Sequence, residues 1–175
     1  MAEPPAVMLK TIRAIDAMSA WSGRIVAWLV VPLMVALSYE VVMRYGFDRP
    51  TTWAYDTSYM LYGAHFMLGA GYTLFRKGHI RTDFFYEKWS VRRQAFVDAS
   101  CYLFLFFPGI FFFGLASWDA AQHAWIIRET SEASAWRPII YPFKTVMPVT
   151  AALLFIQGIS EFLKCLYAAK AGRWL

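Results

Sequence analysis

The chain has 175 residues, of which 59% are hydrophobic and 17% charged, with a formal net charge of +5. Soluble globular domains carry charge on nearer a quarter of their residues, so an ordinary soluble enzyme domain is excluded and a bilayer is the expected solvent. The basic excess is no nucleic-acid footprint either, because the Lys and Arg flank apolar stretches and do not build one basic face with stacking aromatics.

The first 24 residues read as an amphipathic segment. Met8, Ile12 and Ile15 recur at helical spacing while Lys10, Arg13 and Asp16 lie round the other side, which predicts a helix over about 6–22 lying along the cytoplasmic interface. A solvated leader with accidental periodicity is the alternative, and Trp21 favours the interfacial reading. Four apolar runs follow at about 25–43, 57–75, 95–118 and 145–163. Each approaches the ~20 residues that a ~30 Å hydrocarbon core requires. No small-residue cleavage site follows the first run, so it is expected to be retained as an anchor.

The first run contains Pro32, whose missing N–H and ring predict a kink. Near its outer end Glu40 precedes Arg44 by four residues, the favourable order for an intrahelical pair. Either the two neutralise each other or one of them pairs with another helix or subunit. The second run carries Gly63, Ala64, Gly69, Ala70 and Gly71, small residues that let backbones approach in lipid and predict a central position. His65 lies near its middle, where an imidazole can relay protons, bind a metal, or simply hydrogen-bond to a neighbouring helix.

Between the second and third runs, basic residues from Arg76 to Arg93 alternate with Phe84, Phe85, Tyr86 and Trp89, which predicts a helical segment on an anionic cytoplasmic leaflet. Pro108 and Gly109 predict a break in the third run. Trp118, Ala121 and Trp125 keep helical spacing beyond it, so this helix is expected to project past the membrane. The polar stretch from Arg128 is the longest outer loop, either a connector or a contact surface. The fourth run carries Pro148, Gln157 and Glu161, the last beside Lys164.

Charge asymmetry orients these runs. Lys10, Arg13, Arg24, Arg76, Lys77, Arg81, Lys88, Arg92, Arg93, Lys164, Lys170 and Arg173 fall on one side; Arg44, Arg49, Arg128, Arg137 and Lys144 fall on the other. The richer side is cytoplasmic, which places both termini there and agrees with an even number of crossings. The expected fold is a single all-α membrane domain over 1–175, with four transmembrane helices and interfacial helices.

Catalytic signals are missing. There is no Gly-rich phosphate loop, no His-Glu-x-x-His and no activated-nucleophile pattern. Cys101 and Cys165 have no metal or redox spacing, and beside the cytoplasmic face a structural disulfide is not expected. His65, His79 and His123 lie at three depths, whereas a bis-imidazole haem needs two ligands at one depth.

The most specific passage runs from Arg44 to Asp83. Arg44-Tyr45, Phe47, Pro50, Trp53 and Asp56 are followed by Gly69 and Gly71, then by Arg76, Gly78-His79-Ile80-Arg81 and Asp83. In order and spacing this resembles the DctQ family, the small membrane subunits of tripartite ATP-independent periplasmic (TRAP) transporters. The family often has Glu where Asp56 stands. The resemblance covers most of the chain, with looser agreement in the N-terminal segment and the long outer loop. It implies a partnership with a large multi-span subunit and a periplasmic solute-binding protein, and sodium-coupled uptake of organic acids. It also implies that the sodium and substrate sites lie in the large subunit, with no cofactor in this chain, and that the chain resides in the bacterial inner membrane.

Physical roles can be given to the same positions. Arg44 can cap the outer end of the first span. Trp53 can anchor the start of the second at headgroup level, while Asp56 suits the positive end of that helix. Gly78 is expected to take a left-handed turn after the second span, and Asp83 can pair with Arg76, Arg81 or His79 or cap the surface helix next to it. Candidate partner-contacting or fold-setting residues are therefore Glu40, Arg44, Trp53, Asp56, Arg76, His79, Asp83, Trp118 and Trp125. The alternative function is an independent small carrier or channel, self-associated through Gly63, Ala64 and Gly69.

Overall fold

The computed structural model describes residues 4–78, 86 and 88–175. The described residues are helical throughout apart from turns and one isolated antiparallel bridge, Thr130 to Ile139. Helix α1 spans Ala6–Ala27 and α2 Val30–Val41, running on through a π-helical turn, Val42–Gly46. Helix α3 is Ala54–Phe75. Helix α4, Val91–Cys101, passes through a second π-helical segment, Tyr102–Phe106, into α5, Phe107–Ile127. A single turn, α6, Tyr141–Lys144, leads into α7, Val146–Ala171.

Three stretches are long and apolar enough to cross a membrane: Ala6–Gly46, Val91–Ile127 and Tyr141–Ala171. Helix α3 has the length, 22 residues, or ~33 Å at ~1.5 Å per residue. Its four tyrosines and His65 lower its mean hydropathy and keep it out of that group.

Proline sets the interruptions. A proline ring collides with the carbonyl four residues back and leaves it without its usual donor. Pro32 acts on Trp28, and there α1 stops; the chain passes the corner with shorter bonds from Trp28 N to Ile25 O and Leu29 N to Val26 O, at 3.1 and 3.0 Å. Pro108 acts on Phe104, the centre of the second π-helical segment, whose wider turn absorbs the clash. Pro148 acts on Lys144, the last residue of α6. The regular α-helix is therefore interrupted about one turn before both Pro32, where a kink is expected, and Pro108, where a kink or local break is expected.

The central helix is α7, and not α3 as the small residues of the second run suggested. It packs against α1, α3, α4 and α5, burying Ala151, Gly158, Ser160, Cys165 and Ala168. A Cβ on Gly158 would lie 2.4 Å from the Phe106 ring, so only glycine admits that ring. Phe106 belongs to an aromatic group with Tyr102, Phe107 and Phe162 around buried Ala99 and Cys165. The small residues of α3 receive neighbours from within the chain: Gly63 lies under Phe143, and Gly71 faces Leu153 of α7. Gly69 alone of its three glycines meets open space.

The N-terminal segment is helical as its periodicity predicts, but it does not lie apart from the bundle. It is continuous with the first apolar run and packs on α3 and α7, burying Ile12, Ser19, Gly23 and Val26.

Candidate functional site

Two polar clusters form at opposite ends of the helices. At the end where α2 gives way to α3, Glu40 accepts bonds from the Arg44 guanidinium one turn on and from the backbone N and hydroxyl of Thr51. The Glu40–Arg44 pair is thus internal, and Glu40 also ties the end of α2 to the loop that opens α3. Trp53, the residue before α3, stacks on Tyr39 of α2 with ring centroids 5.7 Å apart.

Asp56 lies in the first turn of α3 and is 2% exposed. It accepts hydrogen bonds from Ser131 Oγ at 2.6 Å and from Ser134 Oγ. The long loop between α5 and α6 is therefore docked on α3. It closes on itself through Ser131 N to Pro138 O at 2.8 Å and Ile140 N to Glu129 O at 3.1 Å. Lys144 Nζ pairs with Glu129 at 2.6 Å, and Trp125 Nε1 donates to Thr145 Oγ1 at 2.8 Å while its ring packs on Tyr141. Helix α5 continues past Trp118 to Ile127, with Trp118 and Trp125 both exposed on it.

The outward side of α3 carries exposed Tyr55, Tyr59, Tyr62 and Phe66, spaced at helical intervals. Tyr55 and Tyr59 separate two recesses. One, about 430 Å³, lies against α2 and includes Leu33, Leu37, Glu40 and Ser58. The other, about 500 Å³, lies under the loop between α5 and α6, beside Asp56 and Ser131. Ser58 Oγ is buried with no hydrogen-bond partner among the described residues.

At the opposite end, Asp16 of α1 meets α7. One Asp16 oxygen accepts from Ser160 Oγ at 2.7 Å, Gln157 Nε2 at 3.1 Å and Lys164 Nζ at 3.1 Å. Lys164 also reaches Glu161 Oε1 at 2.7 Å, and Ser19 Oγ donates to Gln157 Oε1 at 2.6 Å. Sequence reasoning overlooked Asp16, Ser19 and Ser160. The available signal was the polar stripe Gln157, Ser160, Glu161 and Lys164 on one face of an apolar helix.

Arg76 is exposed at the end of α3, with its backbone N bonded to Tyr72 O at 2.9 Å. The left-handed residue after that helix is Lys77, with φ 54°, and not Gly78. Gly78 N bonds to Thr73 O and Lys77 N to Leu74 O, the paired bonds of a Schellman cap. What Gly78 supplies is room: a Cβ there would stand 3.1 Å from Thr73 Cγ2. His79 and Asp83 lie outside the described residues, as do the other residues of 79–85 and residue 87 in the expected surface segment.

His65 Nδ1 lies 3.1 Å from Val26 O, so of the roles open to it the hydrogen bond to a neighbouring helix is the one with a partner in place. Cys101 is exposed and Cys165 is buried in the aromatic group around α7. Among the described residues no three His, Cys, Asp or Glu are placed to hold a metal ion. The clusters thus join one segment of the chain to another, and the open feature is the aromatic side of α3.

No curated protein matches the chain. Residues 33–167 match the family model described as tripartite ATP-independent periplasmic transporters, DctQ component. With that match covering α2 through most of α7, the chain belongs to the DctQ family and is a multi-pass inner-membrane subunit of a TRAP transporter.

Proposed function

We propose that this subunit is the fixed scaffold of its transporter, crossing the membrane four times with both termini in the cytoplasm. It stabilises a large multi-span subunit that moves the substrate, and its outer face helps to receive the periplasmic binding protein. In this reading the transporter imports organic acids with sodium, and both the sodium and the substrate are held by the large subunit. The chain acts as one domain, is not an enzyme and needs no cofactor of its own.

The observation that carries the scaffold role is where the buried carboxylates go. Asp56 joins α3 to the outer loop, and Glu161 shares Lys164 with Asp16 between α7 and α1. Intramembrane ionisable groups ordinarily mark a transport path; here they fasten helices. Four crossings are supported by the length of α3 and by the separation of the Glu40 and Asp56 clusters from the Asp16 cluster along the helices. The three tyrosines on the outward side of α3 are poorly suited to hydrocarbon, where each hydroxyl lacks a partner, and better suited to a helix of the large subunit. Of the glycines that an independent carrier would use, Gly63 is already filled by Phe143 from within, while Gly69 meets open space.

The test is co-purification of the tagged subunit from its native membranes in mild detergent. Recovery of a large multi-span protein in roughly equal amount is the expected result. Recovery of this chain alone, as a stable homo-oligomer, overturns the proposal. Arg44→Ala then tests the outer face: unchanged assembly and uptake remove Arg44 from the contact surface.

A further inference from the structure

At the start of α4 a groove of about 450 Å³ is lined by Trp89, Arg92, Arg93, Phe96 and Val97. Arg92 and Arg93 are exposed, and neither guanidinium has an ion pair or hydrogen bond among the described residues. Exposed guanidiniums without a protein partner are open to an anion, and their planar donors suit phosphate oxygens.

The rest of the groove is apolar. Phe96 and Val97 are exposed, and Leu103 and Phe104 continue the exposed apolar surface further along the same helix. The surroundings are also held in place. Gln94 Nε2 donates to the carbonyls of Tyr86 and Trp89 at 2.9 and 3.2 Å, fixing the entry to the helix. Tyr86 Oη donates to Asp98 at 2.6 Å. The stem of Arg92 lies over Gly172 beyond α7, where a Cβ would stand 3.4 Å from Nε. A polar end with two free cations, a Trp at the boundary and an apolar run leading away match an amphiphile with an anionic head.

We propose that this groove binds one anionic phospholipid, with its phosphate on Arg92 and Arg93, Trp89 at headgroup level and an acyl chain along Phe96 and Val97. The proposal rests on the orientation with cytoplasmic termini, which sets the start of α4 at the bilayer surface, and does not depend on the large subunit. Charge complementarity selects the occupant: a zwitterionic lipid offers the same acyl chain but cancels its phosphate with its own ammonium.

Native mass spectrometry of the full chain in detergent, with phosphatidylglycerol or phosphatidylcholine added in turn, tests it. The expected result is retention of one phosphatidylglycerol in preference to phosphatidylcholine. Retention should fall about tenfold in the double variant Arg92→Gln/Arg93→Gln and stay unchanged in Lys10→Gln/Arg13→Gln, which removes the same charge from exposed positions of α1. Equal retention of the two lipids overturns the proposal, as does an equal loss in both double variants, which would mean diffuse attraction. Displacement of the lipid by millimolar inorganic phosphate overturns it as well, since the groove would then recognise a free anion. Failure of the co-purification test leaves every arm of this one intact, because this chain is measured alone.

Discussion

Lys164 of α7 stands 2.9 Å from Asp16 of α1 and 2.7 Å from Glu161 of its own helix, so one ammonium serves two carboxylates. The arrangement is asymmetric. Removing Asp16 leaves a one-to-one pair of Lys164 and Glu161, whereas removing Lys164 leaves two partly buried carboxylates facing each other without a cation. Lys164→Met is therefore expected to destabilise the subunit by about 2–3 kcal/mol, and Asp16→Asn by about 1 kcal/mol. Both lie below the cost at a deeply buried pair because the Lys164 and Asp16 side chains keep 17% and 19% exposure. Thermal unfolding in detergent checks the order, and an Asp16→Asn effect equal to or larger than that of Lys164→Met contradicts it.

The loop between α5 and α6 should respond to one side chain far from it in sequence. Asp56→Ala leaves Ser131, 6% exposed, without its acceptor and frees Ser134 as well. An orphaned buried hydroxyl costs about 1–3 kcal/mol, and here the loop can escape that cost by lifting off α3. Limited proteolysis should cut within 131–137 much faster in Asp56→Ala than in the unaltered chain, with little change in overall helicity. Protection equal to that of the unaltered loop would mean that the bridge between Thr130 and Ile139 holds it without Asp56.

What could be read from sequence alone divides by range. The helices and the interruptions near Pro32 and Pro108 are local, since a ring and a missing N–H act four residues away whatever surrounds them. The family pattern from Arg44 to Asp83 was equally legible. The Ser131 partner of Asp56 and the Lys164 partner of Asp16 lie 75 and 148 residues away, and no local rule joins them. The small residues of α3 misled about the central helix because they signal close approach without naming the neighbour. Helix α7 proved central through Gly158 and a polar stripe that composition alone does not separate from a solvated face. At the end of α3 the error was one of phase: the last helical hydrogen bonds set Lys77 in the left-handed position, one residue before the glycine that usually fills it.

Gly158 and Phe106 form a testable knob and hole. Gly158→Ala forces a methyl group to 2.4 Å from the Phe106 ring, and overpacking of this kind costs about 1–3 kcal/mol. Phe106→Leu alone should also destabilise, by removing ring contacts with Tyr102 and Phe107. The double variant should be less unstable than the sum of the two, because the smaller side chain makes room for the methyl. Simple additivity in thermal unfolding would show that the helix backbones, and not the ring, absorb the insertion.

The cap of α3 gives a prediction of opposite sign. Lys77 holds a left-handed conformation that costs a non-glycine residue about 1 kcal/mol, while its ammonium lies 5.1 Å from the Trp174 ring centroid, a contact that contributes about 0.5–1 kcal/mol. Lys77→Gly should therefore be close to neutral in the unaltered chain and stabilising in a Trp174→Leu background. Gly78→Ala should destabilise in either, because Thr73 is held by its own bond to Gly69 O at 3.0 Å and cannot swing aside freely. A Lys77→Gly effect independent of residue 174 would remove the ring contact from the account.

The interruption at Pro32 and the ring of His65 are coupled through one carbonyl. Where α1 stops, Val26 O accepts the short bond from Leu29 N, and His65 Nδ1 approaches it at 3.1 Å from α3. Because the nitrogen facing a carbonyl must carry the proton, this bond selects the Nδ1–H tautomer. Replacing Pro32 by alanine lets an ordinary helical bond form through the corner, and Val26 O then gains its usual donor from Val30. His65→Leu should consequently cost about 1 kcal/mol in the unaltered chain and clearly less in a Pro32→Ala background. The cycle of four proteins, measured by thermal unfolding in one detergent, isolates that difference. Equal costs in the two backgrounds would show that His65 acts through its packing between helices and not through the Val26 carbonyl.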